Sequence, residues 1–278
     1  FPERIALNDT NGADGYRASS EQCLQSVSRL AGGLLEDGLQ PGDRVAILAG
    51  NSARHVELFY AVLWAGGVAV PLNWRWAGPE LSHALADSEA AVLVVDRAND
   101  ETGRWAASSC PGIRSIIPIE TLEGEPADDI GRGGGELALI VYPDSETGLA
   151  EGVHYSQEWL PARAGRELAD GPASASPQLL ATPLFQPAAF MWAFNTLAHG
   201  HQLIVDSSFE PGEIAKIVQQ EEVTDMAVTP SMVTKMLQQP EAGFHPLKRL
   251  HIQGAALPPA SIMAFHKRYP DIRLVQSG

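Results

Sequence analysis

The spacing of apolar residues along the chain predicts an alternation of helices and strands. From Ser19, with Glu21 in the first turn, apolar residues recur every three or four positions until Gly38, the pattern of an amphipathic helix. The same spacing predicts further helices, at 56–63, 79–88, 157–169, 188–198, 211–221, 231–238 and 258–269.

Short apolar runs between these helices predict strands, at Val45–Leu48, 68–72, Ala91–Asp96, Leu137–Tyr142, Gln178–Thr182, Gln202–Val205, Thr224–Val228, Leu250–Gln253 and Ile272–Val275. Helices that alternate with such strands indicate an α/β fold of parallel sheets covered by helices. Between Arg97 and Glu136 the chain is polar and rich in Gly, Pro, Asp and Glu, which predicts a subdomain junction or a long surface connection. We therefore expect a first subdomain over 1–136, with a linker at its end, and a second over 137–278.

Composition and charge narrow the classes of partner. The chain has 278 residues, of which 45% are hydrophobic, and a formal net charge of −15. This charge argues against a nucleic-acid or anionic-membrane surface, because such partners need a face rich in Lys and Arg. The N-terminus lacks the regions of a signal peptide, and no apolar run reaches the length of a membrane helix. We expect a soluble, cytoplasmic protein.

Several motifs that could mark a functional site are only weak evidence for one. Cys23 and Cys110 lie far apart without metal-ligand spacing, so neither a disulfide framework nor a metal site is expected. The GRGGGE stretch at 131–136 precedes a strand instead of following one, which favours a flexible linker over a dinucleotide site. The HGH stretch at 199–201 lacks a third ligand, which favours a solvated turn. Packing is the favoured role for most tryptophans, including those of NWRW at 73–76.

The stretch IVYPDSETGLAEGVHYS, at 140–156, has the layout of a phosphate-binding loop. An apolar strand leads into a turn of small residues, and Thr147, Gly148 and Gly152 stand where tight turns and a close approach to a ligand are useful. The turn has no lysine and carries three carboxylates, Asp144, Glu146 and Glu151. An acidic surface turn is an equally good interpretation of this stretch alone.

Several sequence blocks in a fixed order carry a resemblance to a known family. They are GLQPGDRVAILAGNS at 38–52, ELFYAVLWAGGVAVPLNWR at 57–75, ATPLFQ at 181–186 and IQGAALPPASIMAFHKRYPDIRLVQ at 252–276. Together they resemble the N-terminal domain of the adenylate-forming enzymes, which include acyl- and aryl-CoA synthetases, peptide-synthetase adenylation domains and firefly luciferase. The resemblance implies layered parallel sheets, a carboxylic acid substrate, an acyl-AMP intermediate made from ATP with Mg²⁺, and coenzyme A.

In that family the loop reads approximately YTSGTTGxPKG, and its amides, hydroxyls and lysine hold the β- and γ-phosphates of ATP. Here Pro143 removes an N–H donor, Ser145 replaces a glycine, and Glu151 takes the position of the lysine. The resemblance thus implies a degenerate phosphate loop, made of Pro143, Asp144, Ser145, Glu146, Thr147, Gly148, Glu151 and Gly152.

A glutamate, Glu151, at the position of the family's lysine should have a large effect on the affinity of the loop for a triphosphate. Two unit charges about 4 Å apart interact by roughly 4 kcal/mol at an effective dielectric constant of about 20, and about 1.4 kcal/mol is tenfold in affinity. A bridging Mg²⁺ would offset part of this repulsion. We therefore expect a ligase-like enzyme that is impaired in adenylation and forms a thioester from a preformed acyl-adenylate. An inactive pseudo-enzyme that binds an acyl ligand or partner, and an ordinary ATP-dependent ligase with an atypical loop, stay open.

The resemblance also implies an acyl and AMP pocket. Phe185-Gln186 match a PLFH segment whose histidine lies near the acyl carboxylate, and Gly254-Ala255-Ala256 match a small-residue stretch beside the acyl and adenine sites. Further expected pocket residues are Trp192, Val228, Thr229, Pro230 and Gln253, with Ser277 and Gly278 at the start of the adenine segment. Helix–strand packing is the alternative role for the small residues Gly254, Ala255 and Ala256.

The sequence constrains the identity of the substrate and of the catalytic residues less well than it constrains the pocket. Amino-acid-activating relatives place an aspartate near Ala188, whereas 185–192 contains no acid, which favours an acid without an α-amino group. Aliphatic, aromatic and polycyclic acids stay open, as do CoA or a carrier protein as thiol and a homodimer. The family's catalytic lysine would lie beyond Gly278, so we expect this stretch alone to be inactive.

Overall fold

The computed structural model describes residues 3–11, 15–143, 150–160, 176–239 and 243–277. The described residues form two sheets, of six and seven strands, in which most strand pairs are parallel and helices alternate with strands. The predicted α/β fold is confirmed. Within this described part, no helix combines the length and apolar character needed to cross a membrane.

The elements in chain order are as follows. The strands are β1 (Ile5–Asp9), β2 (Tyr16–Ser19), β3 (Arg44–Leu48), β4 (Val68–Pro71), β5 (Ala90–Val95), β6 (Ser115–Pro118), β7 (Leu137–Val141), β8 (Val153–Ser156), β9 (Gln178–Leu180), β10 (Leu203–Val205), β11 (Asp225–Val228), β12 (Arg249–Gln253) and β13 (Arg273–Ser277). The helices are α1 (Ser20–Glu36), α2 (Ala53–Trp64), α3 (Gly78–Asp87), α4 (Asp100–Ala107), α5 (Pro187–Ala198), α6 (Pro211–Gln220), α7 (Pro230–Gln238) and α8 (Pro259–Arg268).

The chain divides into two compact units. The six-stranded unit contains the described residues from Glu21 to 160 and the short segment Leu184–Pro187. The seven-stranded unit contains the described residues up to Ser20, 176–183 and those from Ala188 onwards.

The six-stranded unit has the strand order β6-β5-β3-β4-β7-β8, and only the pair β7 and β8 is antiparallel among its described pairings. Every residue of β4 and β5 is buried, as expected for strands with apolar residues on both faces. Local signals start the helices: Ser52 accepts a hydrogen bond from the amide of His55 at 3.1 Å, and Glu80 accepts one from the amide of Ala77 at 2.8 Å.

The seven-stranded unit has the strand order β13-β12-β11-β9-β10-β1-β2. From β13 to β1 each neighbouring pair is parallel, and β2 pairs antiparallel with β1. Buried side chains of α6, α7 and α8 pack on one face of this sheet, including Ile214, Val233 and Phe265. The parallel arrangement brings the carboxyl ends of β9, β11, β12 and β13 to one edge, where ligands of such sheets bind.

The long connection predicted between Arg97 and Glu136 is wrong in its first half, which contains α4 and β6. The buried residues of α4 are the small Gly103, Ala106 and Ala107, so the helix lacks the large apolar side chains that mark a helical stripe. The second half has no regular element, yet it is anchored. The indole nitrogen of Trp64 donates to the carbonyl of Ala127 at 2.8 Å, and Arg132 donates to the carbonyl of Gly66 at 2.9 Å.

The observed units differ from the division expected at residues 136 and 137. β7 and β8 belong to the six-stranded sheet, because Leu139 pairs with Ala69 of β4. β1 and β2 belong to the other sheet, because Leu7 pairs with Leu203 of β10. Such pairings join residues that are distant in sequence, which periodicity cannot detect. The helix predicted at 157–169 lies largely outside the described residues.

Candidate functional site

Tyr142 ends the strand that leads into the phosphate-loop segment. Its hydroxyl donates to Oδ2 of Asp87 at 2.7 Å, and its ring lies edge-on to Trp76 with centroids 6.4 Å apart. Burial, together with the hydrogen bond to Asp87, raises the pKa of Tyr142. The neutral phenol is therefore a fixed donor. Of the predicted loop residues that follow, Pro143 is exposed, and Asp144, Ser145, Glu146, Thr147 and Gly148 lie outside the described residues.

The segment that follows the loop is anchored to α3, the helix that also contains Asp87. His83 of α3 donates from Nε2 to the carbonyl of Ala150 at 3.0 Å, and Glu151 is exposed. At Gly152, a Cβ atom would lie 2.8 Å from Cγ2 of Ile140 and 3.2 Å from Cζ of Tyr142. A packing requirement of β7 therefore accounts for this glycine without a ligand.

The described ends of the loop segment are thus held by α3. Asp87 contacts Tyr142 before the loop, and His83 contacts Ala150 after it. The two side chains lie one turn apart on the helix, which places them on the same face. The base of the loop is fixed in position, and the residue that leaves it, Glu151, carries negative charge into solvent.

Phe185 and Gln186 belong to the six-stranded unit. The amide of Leu184 donates to Oδ1 of Asn51 at 2.8 Å, which ties this short segment to the turn after β3. Phe185 is buried and lies edge-on to Trp74 with centroids 6.5 Å apart. The guanidinium carbon of the exposed Arg75 lies 4.8 Å from the Trp74 ring centre, a cation–π distance. The Trp74 ring therefore contacts the side chains of Phe185 and Arg75. Gln186 is half-buried.

In the seven-stranded unit, the predicted residues after β11 begin a helix. Val228 is buried at the end of the strand. Thr229 caps α7, accepting a hydrogen bond at Oγ1 from the amide of Met232 at 3.4 Å, and Pro230 occupies the first turn. Helix initiation therefore explains the Thr-Pro pair, and both residues stay half-buried at the carboxyl edge of the sheet.

Gln253 links three elements at that edge. Its Oε1 accepts from the hydroxyl of Thr182, after β9, at 3.0 Å, and its Nε2 donates to the carbonyl of Ala188 in α5 at 3.0 Å. Gly254 follows with φ of +80°, a left-handed conformation that favours glycine. Gly254, Ala255 and Ala256 are exposed, and the carbonyl of Gly254 accepts from Nε2 of Gln276 at 3.4 Å.

The remaining predicted residues differ in what surrounds them. The ring of Trp192 in α5 lies against that of His251 in β12, with centroids 4.5 Å apart and planes tilted by 55°. Ser277 ends β13, beside Gln253 in the parallel register. Gly278 lies outside the described residues.

An ionic cluster around the buried Asp225 includes His251, and the sequence did not reveal it. Asp225 accepts hydrogen bonds from Nε of Arg249 at 2.5 Å, Nε2 of His251 at 3.2 Å and the hydroxyl of Thr224 at 2.7 Å. Burial alone would raise the pKa of Asp225, but the hydrogen bonds from His251, Arg249 and Thr224 outweigh it and lower the pKa to about 2. Asp225 pairs with Arg249 in the register of β11 and β12, a relation visible only once the strands are aligned.

The HGH turn differs from expectation. His199 donates from Nδ1 to the carbonyl of Asn195 at 2.6 Å. His201 is buried, and burial lowers its pKa, so the expected solvated turn is wrong for this residue. Across the described ranges, no group of three or more His, Cys, Asp and Glu side chains is arranged to hold a metal ion.

Known proteins resemble the chain over its whole length. The family described as AMP-binding enzyme matches residues 1–278. Feruloyl-CoA synthase of Amycolatopsis sp is 35% identical over 252 residues, which cover 88% of this chain and 50% of that protein. The 2-succinylbenzoate–CoA ligase of Listeria monocytogenes is 26% identical over 281 residues, which cover 99% of this chain and 58% of that protein.

Solved structures agree. The inhibitor-bound N-terminal domain of FACL13 from Mycobacterium tuberculosis has a TM-score of 0.89 at 26% identity, covering 100% of this chain and 72% of that one. A fatty acyl CoA synthetase of Mycobacterium tuberculosis has a TM-score of 0.87 at 26% identity, covering 100% of this chain and 56% of that one. The chain spans about half the length of the curated relatives it matches. The resemblance inferred from the sequence blocks is confirmed, and the chain belongs to the AMP-binding family of adenylate-forming enzymes.

Proposed function

We propose that this chain supplies the acyl and AMP sites of an acyl-CoA ligase-like enzyme that is impaired in ATP-dependent adenylation. The enzyme takes a preformed acyl-adenylate and transfers its acyl group to CoA. Membership of the AMP-binding family and relatives named as CoA ligases and synthases support the general class. The observation that carries the finer proposal is the exposed Glu151, which takes the position of the family's phosphate-binding lysine.

The environment of the loop supports a loss of triphosphate binding. The acid Asp87 holds Tyr142 before the loop, and the neighbouring Pro143 has no N–H to offer a phosphate. After the loop, the carbonyl of Ala150 is engaged by His83, and Glu151 follows immediately. A phosphate tail at this place would meet negative charge where the family places a cation.

The second half-reaction makes no demand on this loop. The CoA sulfur forms a bond to the acyl carbon, the bond from that carbon to the AMP oxygen breaks, AMP leaves with the electron pair, and the thiol proton goes to solvent. The chain's proposed contribution to this step is the exposed backbone of 254–256 together with Ser277, at the carboxyl edge of the seven-stranded sheet. ATP with Mg²⁺ is needed only for the first half-reaction.

The acid substrate is proposed to lack an α-amino group. No Asp or Glu occurs between Phe185 and Trp192 to pair with a buried ammonium. The names of the relatives include feruloyl-CoA synthase, 2-succinylbenzoate–CoA ligase and long-chain-fatty-acid–CoA ligase, so both aromatic and aliphatic acids fit at this level.

The proposal is tested by assaying the two half-reactions separately on the complete protein that carries this chain. We expect thioester and AMP from synthetic acyl-adenylates plus CoA, and little exchange of pyrophosphate into ATP. Strong ATP–pyrophosphate exchange would show an ordinary ATP-dependent ligase. Tight binding of acyl-adenylate without any thioester, across aromatic and aliphatic acids, would show a pseudo-enzyme. Either result overturns the proposal.

A further inference from the structure

The short segment Leu184–Pro187 of the six-stranded unit has a stiff backbone. Pro183 and Pro187 flank its other three residues, and the ring of each proline fixes one backbone dihedral angle. Pro187 also disfavours a helical conformation for Gln186, the residue that precedes it. A displacement at Leu184 is therefore passed along the backbone to Gln186, two residues further on.

Asn51 holds this segment at its first residue. Oδ1 of Asn51 accepts a hydrogen bond from the amide of Leu184 at 2.8 Å, and the two residues are 7% and 4% exposed. A buried amide that loses its acceptor is strongly disfavoured, because water cannot replace the lost partner. The bond therefore fixes the place at which the segment begins.

The position of Asn51 is itself fixed by its two neighbours in the turn between β3 and α2. Ser52, which follows it, accepts from the amide of the buried His55 at 3.1 Å and caps α2. Gly50, which precedes it, accepts at its carbonyl from Nδ1 of His55 at 3.0 Å. Because both neighbours are bonded to one buried residue, the Asn51 acceptor is held ready for its partner.

Phe185 provides a second anchor for the segment. Its buried ring lies edge-on to Trp74, in the loop after β4, with centroids 6.5 Å apart. Gln186 follows these two anchors, is half-buried and carries the only polar side chain of the segment. Its amide group can donate and accept hydrogen bonds. The contacts of Leu184 and Phe185 therefore determine the place from which Gln186 acts.

Resting on the proposed function, and on the expected place of Gln186 beside the acyl carboxylate, we propose that Asn51 is a positioning residue of the acyl site. The bond between Leu184 and Asn51 aims the amide of Gln186 at the acyl carbonyl oxygen. Negative charge develops on that oxygen when the CoA sulfur attacks, and the carbonyl re-forms when the bond to AMP breaks. A donor stabilises this charge only where its direction is correct, so Asn51 acts through Gln186 without touching the substrate.

The test is a double-mutant cycle on the complete protein, with CoA and synthetic cinnamoyl-adenylate or decanoyl-adenylate, whichever the unsubstituted protein turns over faster. Asn51→Leu keeps a similar side-chain size and removes the acceptor, so kcat should fall at least about tenfold, with KM for the adenylate within about threefold. Gln186→Ala should lower kcat by a similar factor. The double variant should be at most about threefold slower than the slower single variant, because both changes remove the same contact.

Three further variants control the cycle. Asn51→Asp retains an oxygen acceptor and should keep kcat within about threefold of the unsubstituted protein. Asn51→Ala makes the same deletion with a smaller side chain and takes the place of Asn51→Leu if that variant does not fold. Asn11→Leu is the matched control, because Oδ1 of Asn11 accepts from the amide of Ser207, also at 2.8 Å, in the seven-stranded unit. It should change kcat by less than about threefold.

The outcomes distinguish the inference from the proposed function. If the unsubstituted protein forms thioester, the proposed function is supported. The inference is then overturned by an unchanged kcat in Asn51→Leu, by multiplicative effects of the two single substitutions, by an equal loss in Asn51→Asp, or by an equal loss in Asn11→Leu.

If the unsubstituted protein forms no thioester, the proposed function fails, and a second measurement decides the inference. Dissociation constants of cinnamoyl- and decanoyl-sulfamoyl adenosine then replace kcat in the same cycle. Losses of affinity that are not multiplicative support the positioning role of Asn51. Multiplicative losses, no loss, or no binding by the unsubstituted protein overturn it.

Discussion

Asp225 shows how a single residue ties the predicted acyl wall to the stability of the sheet. The carboxylate is almost fully buried at the start of β11 and receives three hydrogen bonds, from Arg249, His251 and Thr224. Because these partners favour the ionised form, the folded state lowers the pKa of Asp225 to about 2, against about 3.9 in an unfolded chain. Its ionised form therefore stabilises the fold.

The sign of this coupling gives a prediction. A lowered folded-state pKa contributes stability above about pH 4, and that stability is lost as the pH falls towards 2. Asp225→Asn should lower the free energy of unfolding at pH 7 by about 2–3 kcal/mol, because it leaves Arg249 without its charged partner. The difference from the unsubstituted protein should shrink between about pH 4 and pH 2.5. Urea unfolding at several pH values measures it.

A matched control exists in the same unit. Asp271 is exposed, and Asp271→Asn should change the free energy of unfolding by less than about 0.5 kcal/mol. A stability difference for Asp225→Asn that stays constant from pH 7 to pH 2.5 would contradict the assigned role of its charge.

The candidate site shows where residue-level prediction from sequence stops. Sequence blocks proposed Phe185, Gln253 and Gly254 as candidates, because their side-chain types and order are visible along the chain. The bonds of Gln253 to Thr182 and Ala188 depend on which strands are neighbours, and this is a property of the assembled sheet. The same holds for the ring contact between Trp192 and His251.

At the scale of elements, the apolar runs predicted every strand whose residues are continuously buried. β4 and β5 are examples, and their predicted bounds are within one residue of those observed. β6 and β8 were missed, because they contain no fully buried residue. Their position is set by backbone pairing with β5 and β7, so their sequences carry little hydrophobic signal.

The packing of β7 against the start of β8 gives a second prediction. Gly152→Ala would place a methyl group 2.8 Å from Cγ2 of Ile140, which forces side-chain shifts beside Tyr142. We expect the free energy of unfolding to fall by about 1–3 kcal/mol, as for other overpacked sites. Thermal or urea unfolding provides the measurement.

Gly135→Ala is the matched substitution, because a Cβ atom at Gly135 would meet no atom within 4 Å. It should leave stability within about 0.5 kcal/mol or raise it slightly by restricting the unfolded chain. Equal effects of the two substitutions would show that the contacts of Gly152 with Ile140 and Tyr142 do not explain its presence.

At the scale of the whole molecule, net charge affects the affinity of the protein for a polyanion such as ATP. If the formal net charge of −15 and the acidic loop repel phosphate as proposed, the repulsion extends over a distance set by screening, about 30 Å at 0.01 M salt and about 8 Å at 0.15 M. Raising the salt concentration should therefore strengthen binding of Mg-ATP relative to uncharged adenosine, by about two- to fivefold. A lysine-lined phosphate site predicts the opposite sign. Calorimetry with both ligands on the complete protein measures the ratio.

Two substitutions that change the net charge equally distinguish the effect of the charge at residue 151 from the effect of the net charge. Glu151→Lys restores a cation at the base of the loop, so Mg-ATP affinity should rise at least about tenfold and the salt effect should shrink or reverse. Glu158→Lys changes an exposed residue beyond β8 and should leave the salt effect close to that of the unsubstituted protein. If both substitutions act alike, the repulsion belongs to the molecule as a whole and Glu151 has no special role. If Mg-ATP binding weakens with salt before any substitution, the acidic loop does not repel the triphosphate, and impaired adenylation loses its physical basis.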